Sequence, residues 1–138
     1  MKKKSVTGFL AFSVLAAICI TGCGAGGTPP DGPAVSNPAE TSFDVKNSCS
    51  QASSVDVKFF DETNGDVWPS SSTVYVLNDG DEQTYKLKCN QGDNICFGAT
   101  LSTNADYYWG VGISGTQGCA DCCTSCGNDF PAVNLVCQ

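Results

Sequence analysis

From residue 43 onward, apolar and polar positions alternate with a period of two in short runs, and the spacing of an amphipathic helix is nearly absent. Phe43 and Val45 alternate with Asp44 and Lys46, and Val55, Val57 and Phe59 with Asp56 and Lys58. Val74 and Val76 alternate with Tyr75 and Leu77, while Tyr85, Leu87 and Cys89 share one face with Lys86 and Lys88 on the other. Further apolar runs cover 95–101, 107–113 and 132–137. Successive side chains of a strand point to opposite faces, so each alternating run predicts a strand with one face against a core. Turn formers separate the runs, among them Asn64-Gly65, Asn78-Asp79-Gly80, Gln91-Gly92-Asp93-Asn94 and Ser114-Gly115-Thr116. Asn78-Asp79-Gly80-Asp81, between two alternating runs, predicts a hairpin. About seven short strands at this spacing predict an all-β domain, a small antiparallel β-sandwich, with Cys119 to Asp129 as a disulfide-held loop.

The first residues follow a different rule. Lys2, Lys3 and Lys4 precede an apolar stretch from Phe9 to Ile20, which is shorter than the roughly 20 residues that span a bilayer. This pattern predicts a signal peptide over residues 1–22. The next motif, Ile20-Thr21-Gly22-Cys23, resembles the lipobox of bacterial lipoproteins. The resemblance implies cleavage before Cys23 and acylation of that cysteine, and several acyl chains give stable membrane anchoring where one does not. Gly24, in place of the aspartate that retains such proteins at the inner membrane, implies the outer membrane where the host has one. Residues 23–40 then read as a tether rich in Gly, Pro and small residues, with a reach on the order of 20 to 25 Å. The expected folded domain is residues 41–138.

Composition narrows the function. Of seven basic residues, the three lysines at positions 2–4 leave with the signal peptide, so four face fourteen acidic residues and the net charge is about −10. Nucleic acid and anionic lipid surfaces demand clustered positive charge and are disfavoured as partners; a cation or a neutral ligand suits this field better. The chain has no histidine and no arginine. The usual general base, the commonest metal ligand and bidentate clamps on phosphate are therefore missing, and no enzymatic activity or cofactor is expected.

Ten cysteines are encoded. With Cys19 in the signal peptide and Cys23 lipidated, Cys49, Cys89, Cys96, Cys119, Cys122, Cys123, Cys126 and Cys137 remain, an even set that predicts a disulfide framework in an exported domain. The run Cys119-Ala-Asp-Cys122-Cys123-Thr-Ser-Cys126 contains two abutting CxxC units. Zinc knuckles are normally separated by roughly 15 to 20 residues, and the spacing of a bacterial ferredoxin would put a cysteine where Ser125 stands. Thioredoxin-like use of a CxxC needs a helix N-terminus, which the periodicity does not supply. Structural disulfides are the expectation; a thiol protein, redox-active or metal-binding, is the rival.

Candidate ligand contacts are aromatic. In Tyr107-Tyr108-Trp109-Gly110-Val111-Gly112-Ile113, a strand places Tyr107, Trp109, Val111 and Ile113 on one face. The expectation is that this face packs in the core, Trp109 lying against a disulfide. Tyr108 then stands beside two glycines, a shallow groove suited to a sugar ring or peptide backbone. Trp68, at a loop end before Pro69, is a second candidate for an exposed aromatic. The acidic stretches 61–66 and 78–82 resemble calcium loops in composition, but they lack EF-hand spacing and are expected to be solvated turns.

The segment Ser42-Phe43-Asp44-Val45-Lys46-Asn47-Ser48-Cys49 resembles the opening of thaumatin-like proteins, which are secreted, disulfide-rich β-sandwiches. That family's acidic-cleft signature includes an arginine, which this chain lacks, so the resemblance bears on the fold alone. The combined expectation is an envelope lipoprotein, anchored through Cys23. Its β-sandwich has a structural role or binds a glycan or an envelope protein without catalysis.

Overall fold

A computed structural model describes residues 36–50 and 54–137. The signal peptide, Cys23 and the tether up to residue 35 lie outside the described residues. Among the described residues nine strands follow one another: β1 (Pro38–Asn47), β2 (Ser54–Asp61), β3 (Val67–Trp68), β4 (Tyr75–Asn78), β5 (Glu82–Asn90), β6 (Asn94–Leu101), β7 (Asn104–Gly110), β8 (Cys123–Ser125) and β9 (Val133–Leu135). No helix occurs among the described residues. The fold is all-β.

The alternating runs explain the strands and their orientation. In β1, Thr41, Phe43, Val45 and Asn47 are buried, and Asp44 and Lys46 are exposed. Val55, Val57 and Phe59 of β2, Leu77 of β4, Tyr85 and Leu87 of β5, and Ile95, Phe97 and Ala99 of β6 join Phe43, Val45 and Leu135 in one core. Phe59 lies at its centre, its ring 4.8 Å from Phe43 and 5.1 Å from Tyr85. Burial of such side chains contributes roughly 1.5–3 kcal/mol each, which is what holds two small sheets together.

One sheet runs β5-β1-β9. The other runs β3-β2-β6-β7, with β4 also on β2 and β8 also on β6. Thus β3 and β4 share one edge of β2, opposite Phe59–Phe60 and Ser54–Val57 respectively. In the same way β7 and β8 share the far edge of β6. All ladders are antiparallel except β1 with β9, which are parallel. β6 is buried on both faces because the chain after β7 folds over its outer side: a Cβ on Gly98 would run into the Gly112 carbonyl.

Several sequence expectations are corrected. The tether was expected to extend to residue 40, but Pro38–Glu40 already pair with Lys88–Asn90. The turn at 78–81 is not a hairpin: β4 belongs to one sheet and β5 to the other, and the turn docks on Asn47 through its Asp81 carbonyl and Gly80 N–H. The expected strand 107–113 begins at Asn104 and stops at Gly110, whose φ of 60° breaks the extended backbone.

Among the described residues four disulfides join Cys49–Cys137, Cys89–Cys126, Cys96–Cys123 and Cys119–Cys122. The 119–126 segment is therefore held to both sheets, through Cys89 on β5 and Cys96 on β6. Part of the expected loop is the strand β8, whose Ser125, Thr124 and Cys123 face Asn94, Ile95 and Cys96.

Candidate functional site

β7 forms the margin of the wider sheet, and what it displays follows from its register. Trp109 lies opposite Ala99, a core residue, so Trp109 and Tyr107 point to the inner side. At this margin the inner side is only half covered, and both rings remain partly exposed. The indole N–H of Trp109 donates to the Val136 carbonyl at 3.2 Å, which fixes the ring against the segment after β9. The Tyr107 and Trp109 rings meet edge to face, 5.1 Å between centroids and 62° between planes. Tyr108 points to the other side of β7 and is 45% exposed, as is Val136.

Asp106, Tyr107, Tyr108, Trp109 and Val136 line an open cleft of about 360 Å³ that wraps around the β7 margin. Thr100 braces the strand from below, its hydroxyl donating to the Asn104 and Tyr107 carbonyls at 3.2 and 2.9 Å. Clustered, partly exposed aromatics at a sheet margin give a surface that can hold an apolar group.

The sequence candidates fare unequally. Tyr108 and Trp109 share this cleft, but not in the arrangement expected. The glycines beside Tyr108 do not open a groove: a Cβ on Gly112 would meet the side chain of Gln117, and Gly110 presses on the Phe97 backbone. Trp68 is not an exposed aromatic at a loop end; it lies in β3 opposite Phe59, half buried and packed against the core. Asp106 and Val136 were not singled out by sequence, because neither shows periodicity or a motif.

The acidic stretches are wired internally. Asp61 is buried and its carboxylate accepts from the Thr63 and Asn64 backbone N–H groups at 2.8 and 3.0 Å. The Asn64 amide bridges the Asp61 and Asp93 carboxylates, 2.8 Å to each. Asp81 accepts from the Asn78 backbone and side chain. These carboxylates shape turns. Among the described residues, no group of three His, Cys, Asp or Glu side chains is placed to hold a metal ion.

All eight domain cysteines are paired, and only Cys119 of them is exposed. The two CxxC units behave differently: Cys119 pairs with Cys122, whereas Cys123 and Cys126 pair with Cys96 and Cys89. Comparison of the chain with protein-family models, with curated proteins and with solved structures gives no match.

Proposed function

We propose that the protein is an envelope lipoprotein, anchored through acyl chains on Cys23, whose β-sandwich is a non-catalytic binding module. The lipobox-like Ile20-Thr21-Gly22-Cys23 after a short apolar leader supports the anchor, and four disulfides suit an oxidising compartment. The observation that carries the binding assignment is the open cleft at the β7 margin, where Tyr107 and Trp109 meet edge to face on one side of the strand, Tyr108 stands exposed on the other, and Asp106 and Val136 complete the lining. Single exposed apolar side chains are common on any protein, whereas three aromatics in one lined depression favour a recognition site. The partners this reading names are membrane lipid, through Cys23, and a glycan or envelope protein at the cleft.

Two measurements test it. Cys23→Ser, followed by cell fractionation and intact mass, is expected to abolish lipid attachment and release the protein from membranes; unchanged mass and membrane association would overturn the anchor. A panel of envelope glycans and peptides is then presented to the detergent-solubilised protein and to Tyr108→Ala. Binding that the substitution weakens supports the module, and binding indifferent to it removes the cleft from the assignment.

A further inference from the structure

The described disulfides differ in accessibility, and the difference isolates one of them. In three bridges a buried cysteine is joined to a half-buried one: Cys49 to Cys137, Cys126 to Cys89 and Cys96 to Cys123. Their backbones are held as well. Cys89, Cys96 and Cys123 lie in β5, β6 and β8. The Cys126 N–H donates to the Asp93 carbonyl at 2.7 Å, and the Cys49 N–H to the Asn47 side chain at 3.0 Å. Cys119–Cys122 is different: Cys122 is buried, but Cys119 is exposed, as is every residue from Thr116 to Asp121. Gly118, Cys119, Ala120 and Asp121 make no hydrogen bond with another described residue. On that side the bridge ties down only a solvated segment, and opening it leaves the ladders of both sheets in place.

We propose that Cys119–Cys122 is an exchange-active disulfide, opened by a dithiol protein of the thioredoxin type while the other three bridges stay closed. Access of the attacking thiolate to a sulfur governs such exchange, and exposed disulfides are the labile ones. The partner's thiolate attacks Cys119 Sγ. The Cys119–Cys122 bond breaks, its electron pair leaves on Cys122 Sγ, which takes a proton from solvent, and a mixed disulfide remains on Cys119. The partner's second thiolate then attacks its own sulfur in that mixed disulfide and releases Cys119. Two thiols of the partner are thereby oxidised to a disulfide, and one disulfide of this chain is reduced to two thiols. The Cys122 sulfur lies 3.9 Å from that of Cys123, the one neighbouring bridge to which the exchange could spread. It stops at Cys122 because the β6–β8 ladder holds Cys123 directly opposite its own partner, Cys96.

The test uses the full-length protein in a non-ionic detergent without denaturant. Dithiothreitol is added for increasing times, free thiols are capped with N-ethylmaleimide, and the capped cysteines are located by peptide mass mapping. Label is expected on Cys119 and Cys122 about tenfold or more faster than on any other domain cysteine, with the near-ultraviolet circular dichroism of the folded domain retained. A thioredoxin whose second cysteine is replaced by serine cannot complete the exchange, and is expected to be trapped as a mixed disulfide on Cys119. The double variant Cys119→Ser with Cys122→Ser is expected to trap none. If that variant fails to fold, the labelling order and the trapped peptide of the unaltered chain still decide. Earlier or simultaneous opening of another bridge, loss of the folded signal before Cys119 reacts, no trapped complex, or a complex through another cysteine overturns the proposal. Label on Cys119 and Cys96 overturns it too, because the Cys122 thiolate would then have passed to Cys123 and opened a second bridge. None of these outcomes bears on ligand binding at the β7 margin, so the binding-module reading stands or falls separately.

Discussion

Asn47 is fully buried, and every polar group it carries is matched. Its amide nitrogen donates to the Leu77 carbonyl at 3.1 Å and its side-chain oxygen accepts from the Cys49 N–H at 3.0 Å. Its backbone holds the 78–81 turn by bonds to Asp81 and Gly80, both 2.9 Å. Asn47→Ala strands a buried carbonyl and a buried N–H at once, each costing roughly 1–3 kcal/mol. A loss of about 2–4 kcal/mol in urea denaturation is expected, and a loss below about 1 would mean the turn is held by something else. Tyr85 presents the reverse case, since its buried hydroxyl has no hydrogen-bond partner among the described residues. Burial, helped by Tyr75 and Asp81, pushes its pKa up to about 12 from the ordinary 10.0. Above pH 10 the unfolded chain therefore releases a proton that the folded chain retains, so stability falls as pH rises toward 12. The loss from this group is on the order of 3 kcal/mol at the upper end. Tyr85→Phe is expected to be neutral or stabilising at pH 7 and to flatten the decline between pH 10 and 12. A variant as alkali-sensitive as the parent would assign the decline to other groups.

Among the elements, the disulfides differ most in what they constrain. Cys49–Cys137 spans 88 residues of sequence, whereas Cys119–Cys122 spans 3. Chain entropy assigns about 4.6 kcal/mol to the first closure and about 2 to the second. Thermal unfolding of paired Cys→Ala variants should show the Cys49/Cys137 pair costing clearly more than the Cys119/Cys122 pair; the opposite order would place the weight on native-state packing near Cys122. The strands with long alternating runs, β1, β2 and β5, were legible in sequence because burial on one face imposes period two. β3 and β8, of two and three residues, are too short to show any period. The 78–81 turn was recognisable, but turn chemistry fixes the local reversal and not the sheet each flank joins. Cysteine pairing was equally out of reach, because a count of eight is compatible with 105 pairings and only tertiary contact selects one. The site was half legible: Tyr108 and Trp109 stood out by type, whereas Val136 reaches Trp109 from 27 positions away through the β1–β9 pairing.

At the scale of the molecule, the direction of β1 relates the site to the anchor. The chain enters the described domain before Pro38, where β1 pairs with Asn90 of β5. β1 then runs ten residues to Asn47, beside Leu135, next to the Val136 that lines the cleft. At about 3.3 Å per residue, the cleft end and the tethered end are roughly 30 Å apart. If Cys23 carries acyl chains, the tether meets the domain at the end opposite the aromatic cleft, which favours presenting the cleft away from the bilayer. The net negative charge of the chain adds a repulsion from an anionic membrane surface that holds the domain off the headgroups. The chain has two tryptophans, so Trp68→Phe leaves Trp109 as the sole indole reporter of cleft position. In vesicles of phosphatidylethanolamine and phosphatidylglycerol containing lipids brominated on their acyl chains, Trp109 emission is expected to be unquenched, since bromine quenches only near contact. Strong quenching would seat the cleft in the membrane and overturn this orientation.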